Sequence, residues 1–180
     1  MRLPPAHRTP VPAHPTPVPA HHTPALVPTT PGTEPAASAH SRSRAPRDSY
    51  AVLVVDDHAD NLFAMEQVLL PLGRRVLRAT SGEQALRLVL RENIAVVLLD
   101  LLMPGLDGLD VLGYLRRLDQ TRHLPVILIT GVGRSDELAE RAFRLGAAGF
   151  LIKPVSTWAL RAQVEALATL YTRIQEHEAD

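Results

Sequence analysis

From Tyr50 onward the chain predicts an α/β fold: a doubly wound five-stranded parallel sheet with helices on both faces. Short β-branched runs alternate there with longer amphipathic stretches of period ~3.6, the pattern of repeated strand-helix units. One of the runs, Ile94-Ala95-Val96-Val97-Leu98-Leu99, is apolar on consecutive residues, as a central strand covered on both faces must be. Proline usage shows where the fold begins. Twelve of the 16 prolines lie between Met1 and Asp48, and the other four are scattered singly.

The first strand is expected over Tyr50 to Val55, and the first helix from about Asp60 to Leu70, with Leu62, Met65, Val68 and Leu69 on one side and Gly73 ending the unit. A second strand, about Arg75 to Ala79, leads to a helix whose start is marked by Ser81-Gly82-Glu83-Gln84, the pattern of a capping box. Ala85, Leu86, Val89 and Leu90 continue its apolar stripe. The third strand is Ile94 to Leu99, followed by a third helix over about Gly108 to Leu118. In Pro104-Gly105-Leu106-Asp107-Gly108 a turn precedes that helix, and Asp107 is its expected cap. The fourth strand is Pro125 to Ile129, and the fourth helix opens at a Ser135 cap with Asp136 and Glu137 near the positive helix end. The fifth strand, Gly149 to Ile152, is the shortest, and the fifth helix runs from near Ser156 to about Arg173 with Trp158 partly buried.

Residues 1–48 form a different polymer. The heptapeptide Ala6-His7-Arg8-Thr9-Pro10-Val11-Pro12 recurs at Ala13 and, decayed, at Ala20. Such a Pro/His-rich segment favours extended polyproline II and lacks the apolar surface to offset its ordering entropy, so a disordered N-terminal extension is expected. His7, His14 and His21 would stand roughly 20 Å apart in that conformation, too far for one metal site. The expected organisation is therefore 1–48 extension, 49–173 folded domain and 174–180 C-terminal tail.

Composition excludes several classes of function. There is no Cys, hence no disulfide scaffold, and 19 basic residues balance 19 acidic ones, so no global charge favours nucleic acid or an anionic membrane. The longest apolar run is far shorter than the roughly 20 residues of a membrane-spanning helix, and no signal-peptide core opens the chain. A cytoplasmic location is the expectation.

In an open parallel sheet, ligands bind at the carboxyl ends of the strands. Those ends here are Asp56-Asp57, Asp100, Thr130-Gly131 and Lys153-Pro154. Three carboxylates that close repel one another, which raises their pKa values unless a cation compensates, and hard oxygen donors suit Mg2+. Lys153 is the only Lys in the chain, so a composition that otherwise uses Arg for positive charge places a compact ammonium at this one position. His58 and His123 read as surface or loop residues.

Four segments, each following an apolar strand, occur in order: Val54-Val55-Asp56-Asp57, Leu98-Leu99-Asp100-Leu101-Leu102-Met103-Pro104-Gly105-Leu106-Asp107-Gly108, Ile127-Leu128-Ile129-Thr130-Gly131 and Gly149-Phe150-Leu151-Ile152-Lys153-Pro154. Together they resemble the receiver domain of two-component response regulators, over about Tyr50 to Arg173 and in the stand-alone, chemotaxis-regulator-like form. The resemblance implies the flavodoxin-like strand order 2-1-3-4-5. It implies that Asp100 is a phosphoacceptor taking a phosphoryl group from the phosphohistidine of a sensor histidine kinase or histidine phosphotransfer protein. Mg2+ would be held by Asp57, Asp100 and the Leu102 backbone carbonyl, with Asp56 acting through water. Thr130, Lys153 and the Leu101 and Gly131 backbone would bind the phosphoryl group, with the missing Gly131 side chain leaving room for it. Thr130 and Phe150 would form the switch that changes the surface of helix 4, strand 5 and helix 5 for a downstream protein. A monomer, or a weak dimer through that surface, is expected.

Leu102 and Val132 are apolar where the family often places polar groups that orient the attacking water, so slow autodephosphorylation is expected, with no other enzymatic activity. With little chain after the fifth helix, no DNA-binding output is expected. Two further readings are a receiver of hybrid sensor kinase lineage and a phosphorylation-independent docking module. An aspartyl-phosphate phosphatase would place a second Asp where Leu102 stands, and a flavin site would need a hydroxyl- and glycine-rich loop where Asp56-Asp57-His58-Ala59-Asp60 lies.

Overall fold

The structure, a computed structural model, describes residues 50–131 and 136–179. The expected disordered extension over 1–48, Val132 and the Ser135 cap lie outside the described residues. The elements in chain order are β1 (Ala51–Val55), α1 (Ala59–Leu69), a 3-10 turn (Leu70–Leu72), β2 (Val76–Ala79), α2 (Gly82–Val89), β3 (Ile94–Asp100), α3 (Gly108–Arg117), β4 (Val126–Thr130), α4 (Asp136–Arg144), β5 (Gly149–Ile152) and α5 (Thr157–Ala179). All five strands are parallel, in the order β2-β1-β3-β4-β5, as expected.

Every residue of β1, β3 and β4 is buried, including side chains that point to opposite faces, so both faces of the central sheet are covered. On α5, Leu160, Val164, Ala168 and Tyr171 recur at helical spacing and form its core-facing stripe. Trp158 stands about 200° around the helix from Leu160 and is 77% exposed, which corrects the expectation of a packed tryptophan. Two polar clamps seat α5: buried Arg74 pairs with Glu165 at 3.0 Å, and Arg161 Nε donates to the Val68 carbonyl at 2.7 Å. Tyr50 and Tyr171 meet edge to face at 6.4 Å. With these contacts α5 continues through Ala179, beyond the expected end at Arg173 and into the segment read as a tail.

Helix starts follow local chemistry. Ser81 Oγ accepts from the Gln84 amide at 3.2 Å, but Gln84 Oε1 turns to Thr80, accepting from its amide at 2.8 Å, so only half of the expected box forms on Ser81. The complete box is at α3: Asp107 accepts from the Asp110 amide at 2.8 Å, and Asp110 accepts from the Asp107 amide at 3.4 Å. Gly73, at φ 64°, closes the turn after α1 in the left-handed region where a side chain is disfavoured.

Candidate functional site

Strand register assembles the carboxyl-end residues. Val55 is paired with Leu99, so Asp56 and Asp100 follow in step on neighbouring strands. Thr130 is paired with Ile152, and the Lys153 amide donates to the Thr130 carbonyl at 2.8 Å, which brings Lys153 to the same edge. The Leu101 amide donates to the Ile129 carbonyl at 2.8 Å, and the Gly108 amide to the Leu101 carbonyl at 2.9 Å, folding the β3–α3 loop back beneath the site. That fold-back requires Gly108. A Cβ there would lie 2.6 Å from the Asp100 carbonyl oxygen and 2.9 Å from Leu101 Cα.

Lys153 is at the centre. Its Nζ donates to Asp100 Oδ1 at 2.8 Å and to Asp56 Oδ2 at 3.0 Å. Asp100 Oδ2 accepts from the Leu102 amide at 3.1 Å. Asp56 is held further by the His58 amide at 2.9 Å and by Asn61 Nδ2, at 3.0 Å to one carboxylate oxygen and 2.9 Å to the other. Asp57 is more open, and its Oδ1 lies 2.9 Å from His58 Nδ1. Thr130 is buried at the end of β4, Phe150 is half-buried against the core, and Leu102 is exposed. A Cβ on Gly131 would meet no atom of the described residues within 4 Å, and its φ is not in the left-handed region, so neither demands glycine there.

Carboxylates this close were expected to rise unless a cation compensates, and the two differ: Asp100 is raised, chiefly by burial, whereas Asp56 is lowered. Burial pushes Asp100 up, and the nearby Asp56 charge adds to this, against the opposing pull of Lys153 and the Leu102 amide. Burial pushes Asp56 up too, but the His58 amide, Asn61 and Lys153 outweigh it and hold the carboxyl below its ordinary value. Lys153 is pushed down by burial and up by its two carboxylates, with a net rise. The consequences for stability have opposite signs. Asp56, with a lowered folded pKa, contributes stability that is lost as pH falls through that value. Asp100, with a raised one, favours the fold when protonated and loses that contribution as pH rises through its folded pKa. Without divalent cations, Asp100→Asn is therefore expected to be more stable than wild type at neutral pH. The gap should shrink as pH falls through the raised Asp100 pKa. Urea titrations across pH measure it, and a gap that widens in acid would contradict the assignment.

Three carboxylates and one ammonium leave the cluster with an excess of two negative charges. Open Asp57 and the Asp100 carboxylate supply hard oxygen donors, so the residues fit a divalent ion such as Mg2+. Asp56, Asp57 and His58 also lie with their ligand atoms within 4.8 Å of one another. His58, taken from sequence as a lone surface residue, thus stands beside the cluster while 72% exposed. Asn61 was missed; its one sequence signal is an amide in the first turn of a helix that opens just after the paired aspartates.

The response regulator receiver domain family model matches residues 52–165. Response regulator PleD of Caulobacter vibrioides is 37% identical over 129 residues, covering 71% of this chain and 28% of that protein. The virulence sensor protein BvgS of Bordetella bronchiseptica is 37% identical over 142 residues, covering 76% of this chain and 11% of that protein. Among solved structures, a response regulator receiver domain protein from Clostridium thermocellum matches with a TM-score of 0.63 at 31% identity, covering 69% of this chain and 98% of that one. This chain thus corresponds to nearly all of a solved receiver and to a small part of longer proteins.

Proposed function

Because this chain belongs to the response regulator receiver family, we propose that Asp100 is its phosphoacceptor in a two-component or phosphorelay pathway. The observation that carries this reading is Lys153 Nζ bridging Asp100 and Asp56 at 2.8 and 3.0 Å at the carboxyl ends of β3 and β1. An Asp100 oxygen attacks the phosphorus of a phosphohistidine on a sensor histidine kinase or histidine phosphotransfer protein. The P–N bond breaks, its electron pair stays on the imidazole nitrogen, and an acyl phosphate remains on Asp100. Aspartate is a weak nucleophile, so the transfer depends on positioning and charge neutralisation.

Lys153 and the Leu102 amide already orient the Asp100 carboxylate, and Lys153 is placed to follow charge onto a phosphoryl oxygen. Asp57, Asp100 and the Leu102 carbonyl would hold Mg2+, with Asp56 acting through water; the ion supplies charge neutralisation at the phosphoryl oxygens. Thr130 and the Gly131 amide complete the phosphoryl site; the Leu101 amide, also expected there, is already given to the Ile129 carbonyl at 2.8 Å. The acyl phosphate carries about −1.5 to −2 charges beside Thr130 in place of the single carboxylate charge, drawing Thr130 toward it, and Phe150 repacks. Phe150 has no hydroxyl to anchor either rotamer, so this switch depends on packing. The changed α4–β5–α5 surface is read by a downstream protein, and the same surface serves a monomer or weak dimer. Residues 49–173 form this module, with 1–48 and 174–180 flanking it. Among the described residues no helix is long and apolar enough to cross a membrane; we place the protein in the cytoplasm.

The test is intact mass after incubation with Mg2+ and acetyl phosphate. A hydroxylamine-labile adduct of about 80 Da, one phosphoryl group, is expected on wild type and absent from Asp100→Asn. An adduct on the variant would take the phosphoacceptor role away from Asp100, and none on wild type even with a phosphohistidine donor would favour a docking module independent of phosphorylation. With apolar, 55% exposed Leu102 beside the site, no side chain at that position orients an attacking water. The adduct should persist for minutes or longer once the donor is removed; decay within seconds would contradict this. The length of α5 and the match to a sensor protein favour, as a second reading, descent from hybrid sensor kinases.

A further inference from the structure

Between α3 and α4 lies a groove of about 210 Å³ that the carboxylate cluster does not use, with Leu109 and Leu145 on its apolar side and Tyr114, Arg117 and Arg141 among its polar lining. Among the described residues Arg141 makes no hydrogen bond or ion pair, and Arg117 only covers the Tyr114 ring, 5.7 Å from its centroid. Asp110 also lines the groove, with one of its carboxylate oxygens accepting from the Asp107 amide at 3.4 Å in the α3 cap and no ion pair to either arginine. Both arginines lie in the last turns of their helices, where a cation offsets the negative helix end. That explains a positive charge at each position. It does not explain two guanidiniums without carboxylate partners on one concave surface.

Gly113 is the second observation. It lines the groove from the interior of α3, where glycine is disfavoured relative to alanine. A Cβ at this position would meet no atom of the described residues within 4 Å, so no contact among them requires its absence. Gly108, in the same helix, is forced by close backbone contact. The bare backbone at Gly113 leaves that part of the groove open.

We propose that this groove binds a small phosphate monoester carrying a single aromatic ring. A carboxylate is saturated by one guanidinium fork, whereas a phosphoryl group has three oxygens and can accept from Arg117 and Arg141 together. The ring lies over the bare backbone of Gly113, against Tyr114 and the two leucines. The volume is below the range of about 300–1,000 Å³ typical of drug-sized sites, which limits the ligand to one ring. Since α4 is the element that follows Thr130, an occupied groove ties α4 to α3 and biases the position of the switch surface. The site itself does not depend on phosphorylation of Asp100.

Phenyl phosphate is the probe, titrated into the full chain by NMR in Mg2+-free buffer, with inorganic phosphate and benzoate as comparisons. We expect saturable binding with a Kd on the order of 1 mM, tighter than for either comparison. Arg117→Ala and Arg141→Ala should each weaken it roughly tenfold, the loss of one charged hydrogen bond, and Gly113→Leu should abolish it. Gly113→Ala should raise Tm while weakening binding, a combination that damage to the fold cannot produce. Absence of saturable binding at millimolar concentrations, or full binding by Arg141→Ala and Gly113→Leu, would overturn the proposal. So would loss of binding in Lys153→Met with the arginine variants unaffected, which would place the probe at the carboxylate cluster.

Discussion

Lys153→Met is expected to slow phosphoryl transfer from acetyl phosphate to Asp100 by on the order of 10²–10³, the usual loss when one preorganised donor to a developing charge is removed. In the resting protein the Lys153 side chain is 30% exposed, while the two carboxylates it bridges, Asp56 and Asp100, are 7% and 10% exposed. Removing the ammonium leaves two buried carboxylates side by side, and Asp100, already raised by burial, rises further. A more protonated Asp100 is a poorer nucleophile, so one substitution removes both the cation and part of the reactive carboxylate. Breaking a fully buried pair costs about 3–5 kcal/mol, but Lys153 is partly open to solvent, and about 1–2 kcal/mol is the discounted expectation. Adduct mass against time measures the rate, and urea denaturation in the same buffer measures stability. Lys153→Arg keeps the charge in a bulkier, planar form and should recover stability better than rate. A Lys153→Met protein that accumulates acyl phosphate at the wild-type rate would remove Lys153 from the transfer.

Gly108→Ala is expected to destabilise the fold by about 1–3 kcal/mol, within the range for overpacking a filled site. The added Cβ would lie 2.6 Å from the Asp100 carbonyl oxygen, 2.9 Å from Leu101 Cα and 3.1 Å from Leu128 Cδ2. Two of these are backbone atoms that cannot rotate away, so α3 must withdraw from the end of β3 and take the β3–α3 loop with it. The Leu102 amide, which holds Asp100 Oδ2 at 3.1 Å, belongs to that loop, so adduct formation should slow along with the loss of stability. Gly113→Ala in the same helix is the control, because it meets open space and should gain about 0.5–1 kcal/mol from helix propensity. Thermal denaturation of the two variants side by side separates them, and a Gly108→Ala protein as stable as wild type would show that α3 is not pressed against β3.

Much of the fold is legible in single segments. The run Ile94–Leu99 reads as a buried strand because both faces of a central parallel strand are covered, which leaves no polar alternation to interrupt it. Asp107 reads as a cap because capping acts within a few residues. Asp56, Asp57, Asp100, Thr130 and Lys153 could be named as site residues because each ends an apolar run, and the carboxyl ends of parallel strands meet at one edge by construction. What failed or was missed depends on partners distant in sequence. The Arg74–Glu165 clamp joins residues 91 apart, and no local pattern marks it. The burial of Trp158 was misjudged because apolarity does not say which side of α5 faces the sheet.

Strand and helix order, the edge of the sheet where chemistry gathers and the residue types present there can be read from short segments, since periodicity, capping and strand ends are local. Which carboxylate is which depends on the folded arrangement. Asp56 and Asp57 are adjacent in the chain, yet the fold buries Asp56 under Lys153, Asn61 and the His58 amide and leaves Asp57 open. Charge placement follows desolvation and hydrogen-bond partners, and these exist only once strands far apart in sequence lie side by side.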